Sequence, residues 1–311
     1  MKKFIQINDI SNIRKAIDEA LSLKKEPLQF SELGKSKRLV LLFFHTSLRT
    51  RLSTENAASN LGMQVSVLNP GDGWSLELQE GAVMNLDCQE HIKEAARVVS
   101  QYADIIGVRA FPKLKDKKAD QLDSILNGFV KYASVPVINL ECCNGHPLQA
   151  LTDAITIEEE KKVSRPKIVL SWAPHPKALP HAVPESFIRC MRQIDADLTI
   201  THPKGLELDP ETVGDVPICY NQTEALKDAD FVYVKNWSSY SNYGKVIRDF
   251  DNWMMTSDKL GGAYFMHCLP IRRNVVAEDS VLDGNRSLVI KQANNRTFAA
   301  QVVLKRILEQ L

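Results

Sequence analysis

Residues 38–68 limit the fold more than any other stretch of the chain. Residues 38–44 (RLVLLFF) form an unbroken apolar run of strand length, which is typical of a strand buried on both faces. Residues 50–61 have the pattern of a helix that ends at Gly62, and residues 64–68 have the pattern of a second strand. The stretch therefore predicts a strand–turn–helix–strand unit of a parallel α/β sheet.

The turn of this unit carries two hydroxyl and two guanidinium groups, on Ser47, Arg49, Thr50 and Arg51. A helix N-terminus presents unpaired N–H groups and a partial positive charge, so these side chains favour an anion site there, typically for phosphate. The competing interpretation is a capped helix whose arginines are solvated. Since the chain has no Gly-x-x-x-x-Gly-Lys loop and no G-x-G-x-x-G turn, a compact phosphate-bearing metabolite fits better than a nucleotide.

The composition excludes several classes of protein. The 311 residues are 44% hydrophobic, enough for a large core and two domains. The formal charge of +1 argues against general affinity for nucleic acid or an anionic membrane. No apolar stretch approaches the ~20 residues that span a bilayer, and the polar start does not resemble a signal peptide. Six cysteines without disulfide or zinc-ligand spacing suit a reducing compartment, so we expect a cytoplasmic protein without a metal.

Strand and helix patterns alternate through both halves of the chain, which predicts parallel sheets with right-handed crossovers. Further strand-like runs lie at residues 105–109, 135–141, 167–172, 197–202 and 231–235. We expect an α/β fold of two doubly wound parallel-sheet domains joined by interdomain helices. Residues 1–147 and 294–311 would form the first domain, and residues 148–293 the second. Residues 287–290 are predicted as a short last strand before the C-terminal helix.

Polar residues follow several of the predicted strands. Arg109 and Glu141 each end a strand, at the edge where open α/β sheets bind ligands. His146 and Gln149 stand at a helix start, where they can donate to a carbonyl oxygen that gains charge. Cys268 also ends a strand. In other settings a strand-end arginine is commonly a surface ion pair, a histidine before proline is a turn residue and a buried cysteine is inert packing.

A proline-rich loop at residues 174–184 follows the first strand of the second half. Its four prolines among eleven residues stiffen it, which lowers the entropy lost when it closes on a ligand. A rigid connector would have the same composition. Its place at the carboxyl end of a strand, together with His175 and His181, favours a wall of a substrate site.

Three segments in order, at residues 47–51, 146–149 and 267–270, resemble the signatures of the aspartate/ornithine carbamoyltransferases. That family usually carries Thr where this chain has Leu48. The resemblance spans nearly the whole chain. It implies metal-free and cofactor-free carbamoyl transfer from carbamoyl phosphate to an amine. It also implies that the C-terminal helix packs back on the first domain and that the working unit is a homotrimer.

The resemblance also implies roles for individual residues. The expected carbamoyl-phosphate ligands are Ser47, the backbone at Leu48, Arg49, Thr50, Arg296 and Trp74 from a neighbouring subunit. The expected catalytic residues, which also contact the carbamoyl group, are Arg109, His146, Gln149, Cys268 and the Leu269 carbonyl. No side chain is an obvious base, so the departing phosphate is expected to take the amine proton.

The acceptor amine is predicted from residues outside the shared signatures. The chain lacks the Asp-x-x-x-Ser-Met-Gly segment with which ornithine enzymes hold a free α-amino group, and Lys235 at the corresponding strand end suits a carboxylate. The segment from Trp172 to Pro176 resembles the branch that acts on N-acylated ornithine. The expected acceptor ligands are Gln89, Glu141, His175, Lys235 and Arg272.

The acyl group is predicted from Gln89. In that branch an acid at this position accompanies acetyl and Pro accompanies succinyl, and Gln89 matches neither pattern. An acid would repel a succinyl carboxylate, whereas a neutral amide can donate to it. N-succinylornithine is therefore favoured over N-acetylornithine. An ornithine or aspartate enzyme is the rival within the same family, and a catalytically silent protein that binds carbamoyl phosphate is the rival outside enzymes.

Overall fold

The computed structural model of the chain describes residues 1–70 and 73–311, which divide into two compact units. The first unit comprises Met1–Lys113, Lys118–Leu148 and Arg296–Leu311. The second unit comprises Leu114–Lys117 and Gln149–Asn295. Each unit contains its own parallel sheet, which confirms the predicted α/β fold with two parallel-sheet domains.

The sheet of the first unit has four parallel strands, β1 (Arg38–Phe43), β2 (Gln64–Leu68), β5 (Ile105–Arg109) and β6 (Val137–Glu141). Their order across the sheet is β2-β1-β5-β6. Strand β1 is buried from its second residue to its last, as its apolar run predicts, whereas the edge strand β2 is partly exposed. Two short strands, β3 (Leu76–Glu77) and β4 (Glu90–His91), pair separately.

The helices of this part of the chain follow from their apolar spacing and caps. Helix α3 (Ile92–Tyr102) buries Ile92, Ala95, Ala96 and Val99 on one face, at the spacing of an amphipathic helix. These helices are α1 (Ile13–Lys25), α2 (Leu48–Asn60), α3 (Ile92–Tyr102), α4 (Lys117–Gln121) and α5 (Ser124–Tyr132), with a 3₁₀ turn at Ile7–Asp9.

The sheet of the second unit has five parallel strands, β7 (Lys167–Trp172), β8 (Asp197–Thr201), β9 (Ile218–Cys219), β10 (Phe231–Lys235) and β11 (Tyr264–Met266). Their order across the sheet is β11-β10-β7-β8-β9. Its helices are α7 (Ala182–Met191), α8 (Pro210–Val213), α9 (Gln222–Leu226), α10 (Ser257–Leu260) and α11 (Asp279–Leu282), with a 3₁₀ turn at Asp251–Trp253. The central strands β7 and β10 end in the buried residues Trp172 and Lys235.

Two long helices, α6 (Pro147–Glu160) and α12 (Val289–Leu308), each contain residues of both units. The predicted short strand at 287–290 is wrong, because α12 already begins at Val289 and Ser287 forms only an isolated bridge with Phe265. Ile290 is exposed while Val289 is buried. A four-residue stretch with three apolar side chains cannot distinguish a strand from the first turn of a helix.

Two kinds of feature are absent from the described part of the chain. No helix among these residues is both long enough and apolar enough to cross a membrane. The same residues include no cluster of three or more His, Cys, Asp or Glu side chains arranged to hold a metal ion.

Candidate active site

The N-terminus of α2 has the features of an anion site. Ser47 caps the helix, and its hydroxyl accepts a hydrogen bond from the Thr50 backbone N–H at 3.3 Å. The first turn contains no acid. Arg51 pairs with Glu55 along the helix surface at 3.2 Å, whereas Arg49 has no ion pair or hydrogen bond among the described residues. Arg49 is therefore the first-turn arginine whose charge is available to a ligand.

Arg296 on α12 reaches the same helix end from a distant part of the chain. Its Nη2 donates to the Thr50 hydroxyl at 2.6 Å, and both side chains are buried. The contact joins residues 246 positions apart, so the two cations Arg49 and Arg296 flank one short segment of α2. The Thr50 hydroxyl is neutral, so this hydrogen bond orients the Arg296 guanidinium without neutralising its positive charge.

Arg109, at the end of β5, is held in one orientation by three hydrogen bonds. Its Nη1 donates to the carbonyl oxygens of His45 at 2.6 Å and Thr46 at 2.9 Å, and its Nη2 donates to Glu141 at 3.0 Å. The guanidinium also lies 4.1 Å from the ring centre of Phe111. Its buried Nε–H has no partner among the described residues and is a donor available to a ligand.

Glu141 and His146 form a buried pair beside Arg109. The Glu141 Oε2 lies 3.0 Å from Arg109 Nη2 and 3.6 Å from His146 Nε2, so one carboxylate oxygen faces both groups. Asp123 holds the connecting loop, since its carboxylate accepts the backbone N–H groups of Cys143 at 2.7 Å and Asn144 at 3.1 Å. Glu141, which the resemblance assigns to the acceptor, is thus placed next to the two predicted catalytic groups of the first unit.

Trp74 and Gln89 are neighbours on the segment that contains β3 and β4. The Trp74 indole N–H donates to Glu90 at 2.7 Å, and the Gln89 backbone N–H donates to the Ser75 carbonyl at 3.1 Å. Trp74 is half-buried in its own chain, and Leu48 on α2 is 67% exposed. The predicted contact of Trp74 with a neighbouring subunit stays a prediction.

In the second unit, Gln149 and the segment after β11 belong to one buried network. Gln149 donates through Nε2 to Asp153 at 2.7 Å. Cys268 is 9% exposed, and Leu269 has a left-handed backbone with φ of 51°. The Leu269 N–H donates to His267 Nδ1 at 2.9 Å, which stabilises this uncommon conformation.

Lys235, His175 and Arg272 form a cationic group in the second unit. The Arg272 Nε–H donates to His175 Nε2 at 3.3 Å, and His175 Nδ1 is 2.9 Å from the Lys177 carbonyl. Burial lowers the pKa of His175, and the positive charges of Lys235 and Arg272 lower it further. His175 is therefore the neutral tautomer that accepts from Arg272, and the two cations remain for an anionic ligand.

Several residues that were not predicted from the sequence hold the predicted ones in place. Phe111 is an apolar neighbour two residues after Arg109, and no local pattern distinguishes it from a loop residue. Asp153 is a lone acid on the buried face of α6, four residues after Gln149, and that helical spacing was a usable signal. Asp123 and Gln292 also belong to this set.

Comparisons with known proteins give one consistent result. Residues 2–159 match the family model of the aspartate/ornithine carbamoyltransferase carbamoyl-P binding domain, and residues 181–307 match that of the Asp/Orn binding domain. The chain is 46% identical to the N-succinylornithine carbamoyltransferase of Bacteroides thetaiotaomicron, with 100% of both chains covered. It is 34% identical to the N-acetylornithine carbamoyltransferase of Xylella fastidiosa, covering 100% of this chain and 99% of that one.

Among solved structures, the chain is similar to acetylornithine transcarbamylase complexed with acetylcitrulline. The TM-score is 0.93 and the identity is 35%, with 99% of each chain covered. The similarity therefore extends over both units and both predicted ligand regions.

Proposed function

We propose that this chain, which belongs to the aspartate/ornithine carbamoyltransferase family, carbamoylates the δ-amine of N-succinyl-L-ornithine, as a step of arginine biosynthesis. The donor is carbamoyl phosphate, and the products are N-succinyl-L-citrulline and phosphate. The observation that carries the choice of acceptor is the cationic group of Lys235, Arg272 and neutral His175, which favours an acceptor rich in carboxylates.

In this proposal the α2 N-terminus holds the phosphate. The Ser47 and Thr50 hydroxyls and the backbone at Leu48 donate to its oxygens, while Arg49 and Arg296 balance its charge. Trp74 of a neighbouring subunit completes the site. A dianion bound by two guanidiniums and a helix N-terminus is also a stabilised leaving group.

The carbamoyl carbonyl is polarised by the donors of the first unit. Arg109 offers its unused Nε–H, and His146 lies beside Glu141, whose carboxylate orients both donors. When the amine adds to the carbonyl carbon, the C=O oxygen becomes an oxyanion that these fixed donors stabilise. Because the donors are held before the reaction, little reorganisation is needed in the transition state.

The carbamoyl nitrogen and the attacking amine are oriented by the second unit. The Leu269 carbonyl and the Cys268 sulfur accept N–H groups, and Gln149 contributes its amide. The C–N bond forms, the carbon–oxygen bond to phosphate breaks, and the departing phosphate accepts the proton of the amine. Gln89, Glu141, His175, Lys235 and Arg272 bind the acylornithine, and the two cations face its carboxylates.

The working unit in this proposal is a homotrimer with active sites at the subunit interfaces. The first unit exposes apolar side chains that a partner subunit would cover, among them Leu48, Leu52, Val83 and Leu86. A site that requires Trp74 in trans is incomplete in a single chain, which makes assembly a condition of activity.

The decisive experiment compares ornithine, N-acetylornithine and N-succinylornithine as acceptors with carbamoyl phosphate, measuring both citrulline-type product and phosphate. We expect turnover of N-succinylornithine in clear preference to the others. Lys235→Met should raise the acceptor KM by about tenfold or more while leaving the KM for carbamoyl phosphate unchanged. The matched control, Lys227→Met, changes an exposed lysine of the same unit and should behave as the native chain.

Each contrary outcome rejects a named part of the proposal. Preference for N-acetylornithine would reject the succinyl acceptor and the argument from Gln89. Turnover of free ornithine would reject the argument from Lys235. Absence of product with all three acceptors would favour a silent protein that binds carbamoyl phosphate.

A further inference from the structure

We propose that Asp153 is the positioning residue that aligns the two halves of the carbamoyl-nitrogen site, Gln149 and the Cys268–Leu269 segment, through a single carboxylate oxygen. The inference rests on the proposed function, because it assigns a purpose to groups that act on the carbamoyl nitrogen there. Asp153 is placed to touch neither substrate in that mechanism. It acts through the side chains that it holds.

Two amide donors from different helices converge on one oxygen of Asp153. Gln149 Nε2 on α6 donates to Oδ1 at 2.7 Å, and Gln292 Nε2 on α12 donates to the same Oδ1 at 2.8 Å. All three side chains are 1% exposed or less. An ionised carboxylate only accepts hydrogen bonds, so it determines which end of each amide group faces it. Both amide oxygens are thereby directed away from Asp153.

The orientation of the Gln292 amide in turn positions the segment after β11. Its Oε1 accepts the backbone N–H of His267 at 2.9 Å, and His267 Nδ1 accepts the N–H of Leu269 at 2.9 Å. Three consecutive hydrogen bonds therefore link Asp153 to the left-handed backbone of Leu269. A non-glycine residue keeps such a backbone only where its surroundings stabilise it.

The same orientation has a consequence for Gln149. Because its N–H group is directed to Asp153, its amide oxygen faces the opposite side, where it suits an N–H donor such as a carbamoyl nitrogen. Gln149, Cys268 and Leu269 then all present acceptors to that nitrogen. Without Asp153, the Gln149 amide and the Cys268–Leu269 segment lose the contacts that keep their acceptor atoms facing the carbamoyl nitrogen.

The test uses the full-length protein with Asp153→Asn, Gln292→Leu and the control Thr156→Val. Asparagine retains the volume of Asp153, but its uncharged carbonyl oxygen is a weaker acceptor for the two amide N–H groups, and its N–H₂ group places donors where the carboxylate has its second oxygen. Thr156 is an equally buried residue of α6 that bonds to the Thr152 carbonyl and to Asn295, away from the Cys268–Leu269 segment. Its substitution measures the effect of losing a buried polar contact in the same helix pair.

We expect Asp153→Asn to lower kcat about 10- to 100-fold while changing the Kd of carbamoyl phosphate measured without acceptor by about twofold at most. Gln292→Leu should lower kcat less, since Gln149 keeps its contact with Asp153. Thr156→Val should leave kcat unchanged even if its melting temperature falls. A native kcat in Asp153→Asn, with a fall in melting temperature like that of Thr156→Val, would mean that Asp153 is only structural.

Amide hydrogen exchange tests the same inference without activity. The His267 N–H should exchange about tenfold faster in Asp153→Asn and in Gln292→Leu than in the native chain, and at the native rate in Thr156→Val. If the native chain turns over none of the acceptors, the proposed function fails while this comparison still decides the inference. Unchanged exchange at His267 in Asp153→Asn would overturn it.

Discussion

At the scale of single residues, the site depends on side chains whose orientation is set by backbone atoms. Arg109 donates to two carbonyl oxygens of the segment that leads into α2, and to Glu141. The orientation of the Arg109 guanidinium therefore depends on the backbone conformation of residues 45–46. A lysine would keep the charge, but a single ammonium cannot reproduce the planar arrangement of these donors together with the unused Nε–H.

We predict that Arg109→Lys lowers kcat/KM about 100- to 1000-fold, because a preorganised donor to the developing oxyanion is lost. The melting temperature should change little, since Glu141 keeps a positive partner. The comparison is Arg192→Lys, which changes a surface arginine paired with Asp215 and should leave the steady-state kinetics as they are. Near-native turnover in Arg109→Lys would remove Arg109 from the proposed mechanism.

At the scale of elements, helix α7 contains a buried acid that the proposed mechanism does not use. Glu185 is 5% exposed, with Arg189 at 3.2 Å and His181 at 3.9 Å. Burial raises its pKa from 4.5 to about 7, against the opposing charge of Arg189. The folded chain therefore binds a proton more tightly here than the unfolded chain does, and the stability contributed by that proton is lost as pH rises.

We predict that this carboxyl lowers the free energy of unfolding progressively between pH 4.5 and pH 7, by about 3 kcal/mol in total. Glu185→Gln should abolish that component, so the variant gains stability relative to the native chain at pH 8 and not at pH 4. Urea midpoints at the two pH values provide the measurement. Glu224→Gln, an exposed acid on α9, is the control, and an equal pH response in both variants would contradict the assignment.

At the scale of the whole molecule, the question is whether one chain is sufficient for activity. Trp74 bonds within its own chain to Glu90, and Val83 and Leu86 on the following segment are 80% and 85% exposed. Apolar side chains exposed to this extent are typical of surfaces that another protein covers. If each site uses Trp74 of a neighbouring subunit, two variants with different defects can complement each other in a mixed trimer. A monomeric enzyme cannot show such complementation.

We predict that two inactive variants, Trp74→Ala and Arg109→Lys, regain activity when they are mixed, unfolded and refolded together. In a trimer of mixed composition, one site combines a native Arg109 with the native Trp74 of a neighbour. Random assembly from equal amounts therefore yields about a quarter of the native activity. Each variant refolded alone is the control, and the absence of recovery in the mixture would reject a shared site.

Local sequence patterns predicted most elements of the fold, and the resemblance to the carbamoyltransferase signatures supplied most of the candidate site residues. The buried run of β1, the alternation of strands and helices, and the three signatures are local features, since each depends on residues that are adjacent or a few positions apart. The short strand predicted at 287–290 failed because four residues are too few to define a period.

Tertiary structure alone decided which of these residues hold one another. Arg296 meets Thr50 across 246 positions, Gln292 meets Asp153 across 139, and Arg109 meets Glu141 across 32. No local pattern encodes such pairs, because each forms only when separate strands and helices pack against one another. The sequence by itself determined which chemical groups are present, and the packing of the elements determined which donor faces which acceptor.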